Sequence, residues 1–229
     1  MIINTTHRFI LFSINKTATS SMDEALAGYF DADEFRRRAL ELPRLGLARR
    51  RVKDKEHRDR LIRYGWNEVP ALKHAPVRWL KDRWDDLAPE VAWNEMYKVC
   101  FVRNPFERLL SVYSYHTQTL SQRFPDAQAA GSFEAWLQMG GTGSARLSMK
   151  DFIHDDHDAL LVDKVGRYET LSADWTDFTT RVGLPGLKLP HTPATRSRHL
   201  PWAELATPQL RDLILANPVW RADVEYFGY

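Results

Sequence analysis

Two short stretches of this chain carry groups that could grip an anion. In "SINKTATSSM" (residues 13–22) a single lysine, Lys16, is surrounded by the hydroxyls of Thr17, Thr19, Ser20 and Ser21. The lysine offers a point charge and the hydroxyls offer hydrogen bonds. A helix starting here would add the N–H groups of its first turn. Together these make the chemistry of a phosphate cradle. The same residues also suit a capped turn with a surface lysine, and the glycine-rich pattern GxxxxGK[ST] is absent. In "VCFVRNPFERLLSVYSYH" (residues 99–116) Arg103 directly follows an apolar run, where its guanidinium fork can clasp phosphate oxygens in pairs. Asn104 can cap a helix there, Pro105 suits the first helical position, and Glu107 has capping-box spacing. Ser111 lies seven residues past the cap, almost two turns, and so returns to the same helical face.

These groups need elements to hold them. "RFILFSI" (residues 8–14), "YKVCFV" (97–102) and "ALLVDKVGRYE" (159–169) read as buried strands. Met22, Ala25, Leu26 and Tyr29 fall at helical spacing, predicting a helix from about Ser20 to Tyr29. A second helix starts at the Asn104 cap, and Ser172 can cap a third. Strands alternating with helices predict an α/β fold, a parallel sheet with helices on its faces. Ligands of such sheets bind beyond the carboxyl ends of the strands, where both anion-gripping stretches lie.

The 229 residues, 44% hydrophobic and 27% charged, suit one compact domain with a sizeable core. A formal charge of +2 gives no general argument for nucleic acid. The basic segment from Arg36 to Arg63 is interleaved with Glu41, Asp54, Glu56 and Asp59. It reads as a solvated face, a groove for a polyanionic glycan, or a peripheral contact with acidic lipid. Cys100, the sole cysteine, excludes a disulfide framework and sits in an apolar run. No apolar run approaches the ~18 residues that span a bilayer. "HDDHD" (residues 154–158) could hold a zinc or manganese ion, but a solvated acidic turn is the reading preferred. The eight tryptophans are expected to pack, one or two of them offering a stacking platform for adenine or a sugar.

"FILFSINKTATSSM" resembles the 5′-phosphosulfate loop of sulfotransferases, written IPKTGGTSL or PKTGTTS, and "FVRNPFERLLSVY" resembles their 3′-phosphate motif, FVRDPxxRLxSxY. "VDKVGRYETLSADW" is similar to a later VGRFENL segment, and "ADVEYFGY" resembles the family's ending. Order and spacing agree over nearly the whole chain, most closely with the carbohydrate-type sulfotransferases. The resemblance implies a P-loop-kinase-like α/β fold in a single domain, 1–229. It implies 3′-phosphoadenosine 5′-phosphosulfate (PAPS) as donor, 3′,5′-phosphoadenosine as product, and no required metal.

Carried over by motif, Lys16, Thr17, Ala18, Thr19, Ser20 and Ser21 would surround the 5′-phosphosulfate, with Lys16 also stabilising the leaving oxygen. Arg103 and Ser111 would hold the 3′-phosphate. Arg196 or Arg198, in the late loop "KLPHTPATRSRH" (188–199), would reach the 3′-phosphate or the acceptor. His74, in "ALKHAPVRWL", matches a histidine that one branch uses as base; Glu24, Asp23 and His116 are its rivals, and Lys73 an assistant. The acceptor would be a hydroxyl of a carbohydrate or sugar-bearing small molecule, in a pocket shaped by residues 30–75 and 117–150. A bacterial cytoplasmic enzyme is the expected setting. Asn15 replaces the usual proline, and Ala18 and Thr19 stand where glycines are common, so the loop is expected to run differently. A nucleotide phosphotransferase on the same fold, or an inactive nucleotide-binding protein, is the alternative. Acceptor identity, regiochemistry and oligomeric state are not encoded in these motifs.

Overall fold

The computed structural model describes residues 1–4, 7–29, 74–118, 125–141, 147–190 and 201–229. In chain order its elements are β1 (Ile2–Asn4), β2 (Phe9–Phe12), α1 (Thr19–Tyr29), α2 (Val77–Lys81), α3 (Trp84–Leu87), β3 (Tyr97–Val102) and α4 (Pro105–Gln118). They continue as α5 (Pro125–Ala129), α6 (Phe133–Gln138), α7 (Met149–Ile153), β4 (Lys164–Arg167), α8 (Leu171–Arg181), α9 (Trp202–Leu205), α10 (Pro208–Leu215) and α11 (Pro218–Phe227). The described residues form two compact units. One takes in residues 1–14, 18–102 and 152–190, the other 15–17, 103–151 and 201–229, in each case as far as they are described.

The first unit is a four-stranded sheet in the order β1-β2-β3-β4. β2, β3 and β4 run parallel, with Leu11 beside Val99 and Val102 beside Arg167. The expected all-parallel sheet is corrected at its edge, where β1 lies antiparallel to β2, Ile2 opposite Leu11. Three residues give too short an alternation to read from sequence, and a strand this close to its neighbour can return only antiparallel. Every residue of β2 is buried, as is nearly all of β3, because both faces of the sheet are covered. Phe9, Leu11, Val99 and Phe101 pack on one face against Met22 and Leu26 of α1 and Trp175 and Phe178 of α8. Phe12 points the other way, its ring 6.5 Å from Trp93, which meets Trp84 edge-on at 5.3 Å. Trp84, Trp93 and Trp175 are packing residues.

The third strand is shorter than the sequence suggests. Only Lys164–Arg167 joins the sheet, because residues 159–161 spend their backbone bonds on a turn: Leu161 N–H donates to Ile153 O at 2.8 Å, and His154 bridges Leu160. "HDDHD" is that turn. Asp155 accepts the backbone N–H groups of His157 and Ala159, each at 2.9 Å, and these bonds hold its carboxyl below the usual range. Among the described residues no group of three or more His, Cys, Asp or Glu side chains is arranged to hold a metal ion. The cap of α8 is also corrected: Thr170, not Ser172, occupies that position, and its hydroxyl donates to Asp174, which also accepts Arg167 N–H. Among the described residues no helix is long and apolar enough to cross a membrane.

The second unit is helical. Its core gathers Phe106, Leu109, Leu110 and Val112 of α4 with Trp136 of α6, Trp202, Leu210 and Ile214, and Trp220 and Val224 of α11. Phe106 and Trp202 stack with ring centroids 4.6 Å apart.

Candidate active site

β2 and β3 are parallel neighbours, so the chain leaves both at the same edge of the sheet. Each strand hands over there to one of the two chemistry-bearing segments. After β2, Lys16 takes φ +70° and Ala18 φ +64°, a conformation natural to glycine but held here by residues with a Cβ. The loop therefore keeps glycine-like backbone geometry without glycine. Ala18 O then accepts the N–H groups of Ser21 and Met22 at 3.0 and 3.2 Å, and α1 begins at Thr19. Thr17 and Thr19 are buried, Ser21 is half-buried and Ser20 exposed. Of the first turn of this 11-residue helix, the Thr19 and Ser20 N–H groups have no acceptor within the helix itself.

After β3, the cap forms as the residue types dictate. Asn104 Oδ1 accepts from Phe106 N–H (3.0 Å) and Glu107 N–H (3.3 Å), with Pro105 at the first helical position. Glu107 accepts Trp202 N–H at 2.7 Å and Arg103 Nη2 at 3.3 Å, tying Arg103 to the first turn of α4. The Arg103 side chain is only 13% exposed.

Lys16, Arg103 and Ser111 belong to the same unit. The Lys16 ammonium lies over the Tyr115 ring, 4.3 Å from its centroid. One loop residue earlier, Asn15 O accepts Arg108 Nε at 3.1 Å. The α4 face that meets the loop thus presents Arg108 and Tyr115, and Ser111, half-buried, falls between them at i+3 and i−4. Burial and, second to it, the nearby Arg103 charge lower the Lys16 pKa from its ordinary value to about 8. Among the described residues no carboxylate pairs with Lys16. A half-buried ammonium beside a guanidinium is costly unless an anion joins them.

His74, Asp23 and Glu24 are in the first unit. His74 Nδ1 is 2.7 Å from Ser13 O, three residues ahead of Lys16 in the chain. A carbonyl can only accept, so Nδ1 carries the proton of the neutral ring and Nε2 the lone pair. Asp23 is half-buried and Glu24 exposed on α1. His116 is buried on α4, edge-on to Trp136 at 6.2 Å, a packing position. Arg196, Arg198, Lys73 and the basic Arg36–Arg63 segment lie outside the described residues.

Three residues of this region were not singled out by sequence: Tyr115, Arg108 and Asp223. Arg108 Nη1 lies 3.4 Å from Asp223 Oδ2, and both residues are essentially enclosed, at 3% and 0% exposure. The signals were there: Arg108 is the second fixed arginine of the FVRDPxxRLxSxY pattern, and Asp223 lies in the ending "ADVEYFGY". Asp223 falls on the apolar stripe Trp220–Val224–Phe227 of α11, where a carboxylate requires a buried partner.

No curated protein and no solved structure matches the chain. A family model described as the sulfotransferase family matches residues 1–229. With that match spanning residues 1–229, the chain belongs to the sulfotransferase family.

Proposed function

We propose that this sulfotransferase-family chain uses PAPS as donor and a carbohydrate hydroxyl as acceptor, releasing 3′,5′-phosphoadenosine. One observation carries the donor assignment. Lys16 is a half-buried ammonium beside Arg103, without a carboxylate partner among the described residues, its pKa lowered to about 8. Such a site is stabilised by bringing in an anion, and the two cations suit a ligand with more than one phosphate-like group. When bound, the donor supplies the transferable sulfuryl group.

The residues of this chain have separable tasks. Lys16 and the segment Thr17, Ala18, Thr19, Ser20 and Ser21 hold the 5′-phosphosulfate, a role that rests on the motif resemblance. Arg103 and Ser111 hold the 3′-phosphate. Lys16 keeps its charge where negative charge grows as the bond to the leaving oxygen breaks. His74 Nε2 takes the proton from the acceptor hydroxyl, a role supported by the Nδ1 bond to Ser13 O that fixes the basic nitrogen. The carbohydrate acceptor rests on the motif resemblance.

The test is an assay of 3′,5′-phosphoadenosine release from PAPS in the presence of a panel of sugar acceptors. Release that depends on acceptor, and drops at least a hundred-fold in both Lys16→Ala and His74→Ala, is the expected result. Acceptor-dependent release unchanged in His74→Ala would remove the histidine from the mechanism, and no release with any acceptor would count against the donor.

A further inference from the structure

We infer that Arg108 and Asp223 are positioning residues for Lys16, a buried ion pair whose task is to pin the peptide bond that leads into the lysine turn. The pair itself stands on geometry; its functional consequence rests on the donor reading above.

Arg108 reaches two ways. Its Nε donates to Asn15 O at 3.1 Å, and its Nη1 faces Asp223 Oδ2 at 3.4 Å. Asn15 O belongs to the peptide unit immediately before Lys16, whose φ of +70° is the next rotation along the chain. A left-handed residue with a Cβ persists only where its surroundings hold it, and this carbonyl is held by a guanidinium that cannot lose its proton. Asp223 fixes that guanidinium in turn. Its other oxygen, Oδ1, accepts Lys150 N–H at 2.9 Å, so its carboxylate is anchored to backbone as well as to Arg108. Among the described residues, Asp151 is a like charge near Asp223, and the Arg108 guanidinium lies 5.4 Å from the Trp220 ring.

A buried ion pair is a poor way to gain stability, since apolar residues of the same volume serve as well or better. What it supplies is direction. The Nε–H of Arg108 can point at Asn15 O only while Asp223 holds the far end of the same planar group. Met at 108 would fill the space and release the turn.

The test separates position from stability by reading Lys16 directly. In wild type and in Asp223→Asn, Arg108→Lys and the double variant Arg108→Met/Asp223→Leu, amines are pulse-labelled with acetic anhydride across pH 6–11. The Lys16 peptide is quantified by mass spectrometry, and native circular dichroism checks that each variant is folded. Leu210→Ala, a core change in the same unit, is the control for general loosening. Wild type and Leu210→Ala should give a Lys16 midpoint near 8, while every folded Arg108 or Asp223 variant moves at least one pH unit upward. The double variant, with no stranded charge, keeps the test available if single changes fail to fold. A Lys16 midpoint unchanged in the folded variants would overturn the inference. Calorimetry with 3′,5′-phosphoadenosine on the same proteins should show at least ten-fold weaker binding in the variants. Failure of wild type itself to bind would sink the donor reading alone, since the labelling profile decides the clamp without any nucleotide.

Discussion

At the scale of single residues, the turn between β2 and α1 trades stability for position. Ala18 at φ +64° bears the cost of a Cβ in the left-handed region, ~1–2 kcal/mol. Ala18→Gly would relieve it but loosen the unfolded chain by ~0.4–1 kcal/mol. The strain is the larger effect, so urea denaturation should find the variant more stable by about 0.5–1 kcal/mol. An unchanged or lower midpoint would mean that the turn relaxes elsewhere. Lys16 gives a pH signature. Its pKa falls to about 8 on folding, from an unfolded value of 10.5. Between those values the unfolded chain holds the extra proton, so this residue's contribution to stability should rise with pH across that window. Affinity for a phosphorylated ligand should run the opposite way, highest while Lys16 is charged and falling as pH passes about 8. Lys16→Arg, which stays charged, should remove the fall, and isothermal titrations at pH 6.5 and 9.5 in matched ionic strength would show whether it does.

At the scale of elements, local signals were readable and long-range ones were not. Asn104 caps and Pro105 opens α4 because both preferences act within one turn of backbone. "YKVCFV" is a strand from end to end, since an apolar run covered on both faces has little choice. The strand predicted over 159–169 came out as four residues, because a turn at Asp155 competes for the backbone of its first half. β1 escaped reading altogether: its three residues have meaning only against β2. Arg108 and Asp223 lie 115 residues apart, and nothing near either reveals the other. Gly166 offers a test at this scale. A Cβ there would sit 2.6 Å from the ring of Phe101, which is fully enclosed and cannot swing away. Gly166→Ala should therefore cost ~1–3 kcal/mol, the range of overpacked cores, with the thermal midpoint lowered to match. A midpoint equal to wild type would show that β3 and β4 yield more easily than their burial implies.

At the scale of the whole molecule, the four motifs in order spoke for the family, and the match over residues 1–229 bears that out. The α/β class also holds, as a four-stranded sheet with helices on both faces, one edge strand reversed. The residues named for the site divide between two compact units, Lys16, Arg103 and Ser111 in one, His74 and Ala18–Ser21 in the other. The acceptor was not legible, because acceptor pockets are built by variable segments, and fold does not determine what they bind. The donor proposal rests instead on Lys16 and Arg103, two cations that follow apolar runs and are visible in the sequence. The most direct measurement is therefore isothermal titration of 3′,5′-phosphoadenosine into wild type, Lys16→Ala and Arg103→Ala, with 5′-AMP as the control lacking the 3′-phosphate. Binding that exceeds that of 5′-AMP by ten-fold or more, and collapses toward it in Arg103→Ala, is the expected result. Equal affinity for the two nucleotides in wild type would contradict the donor site and leave the lysine turn as a cradle for some other anion.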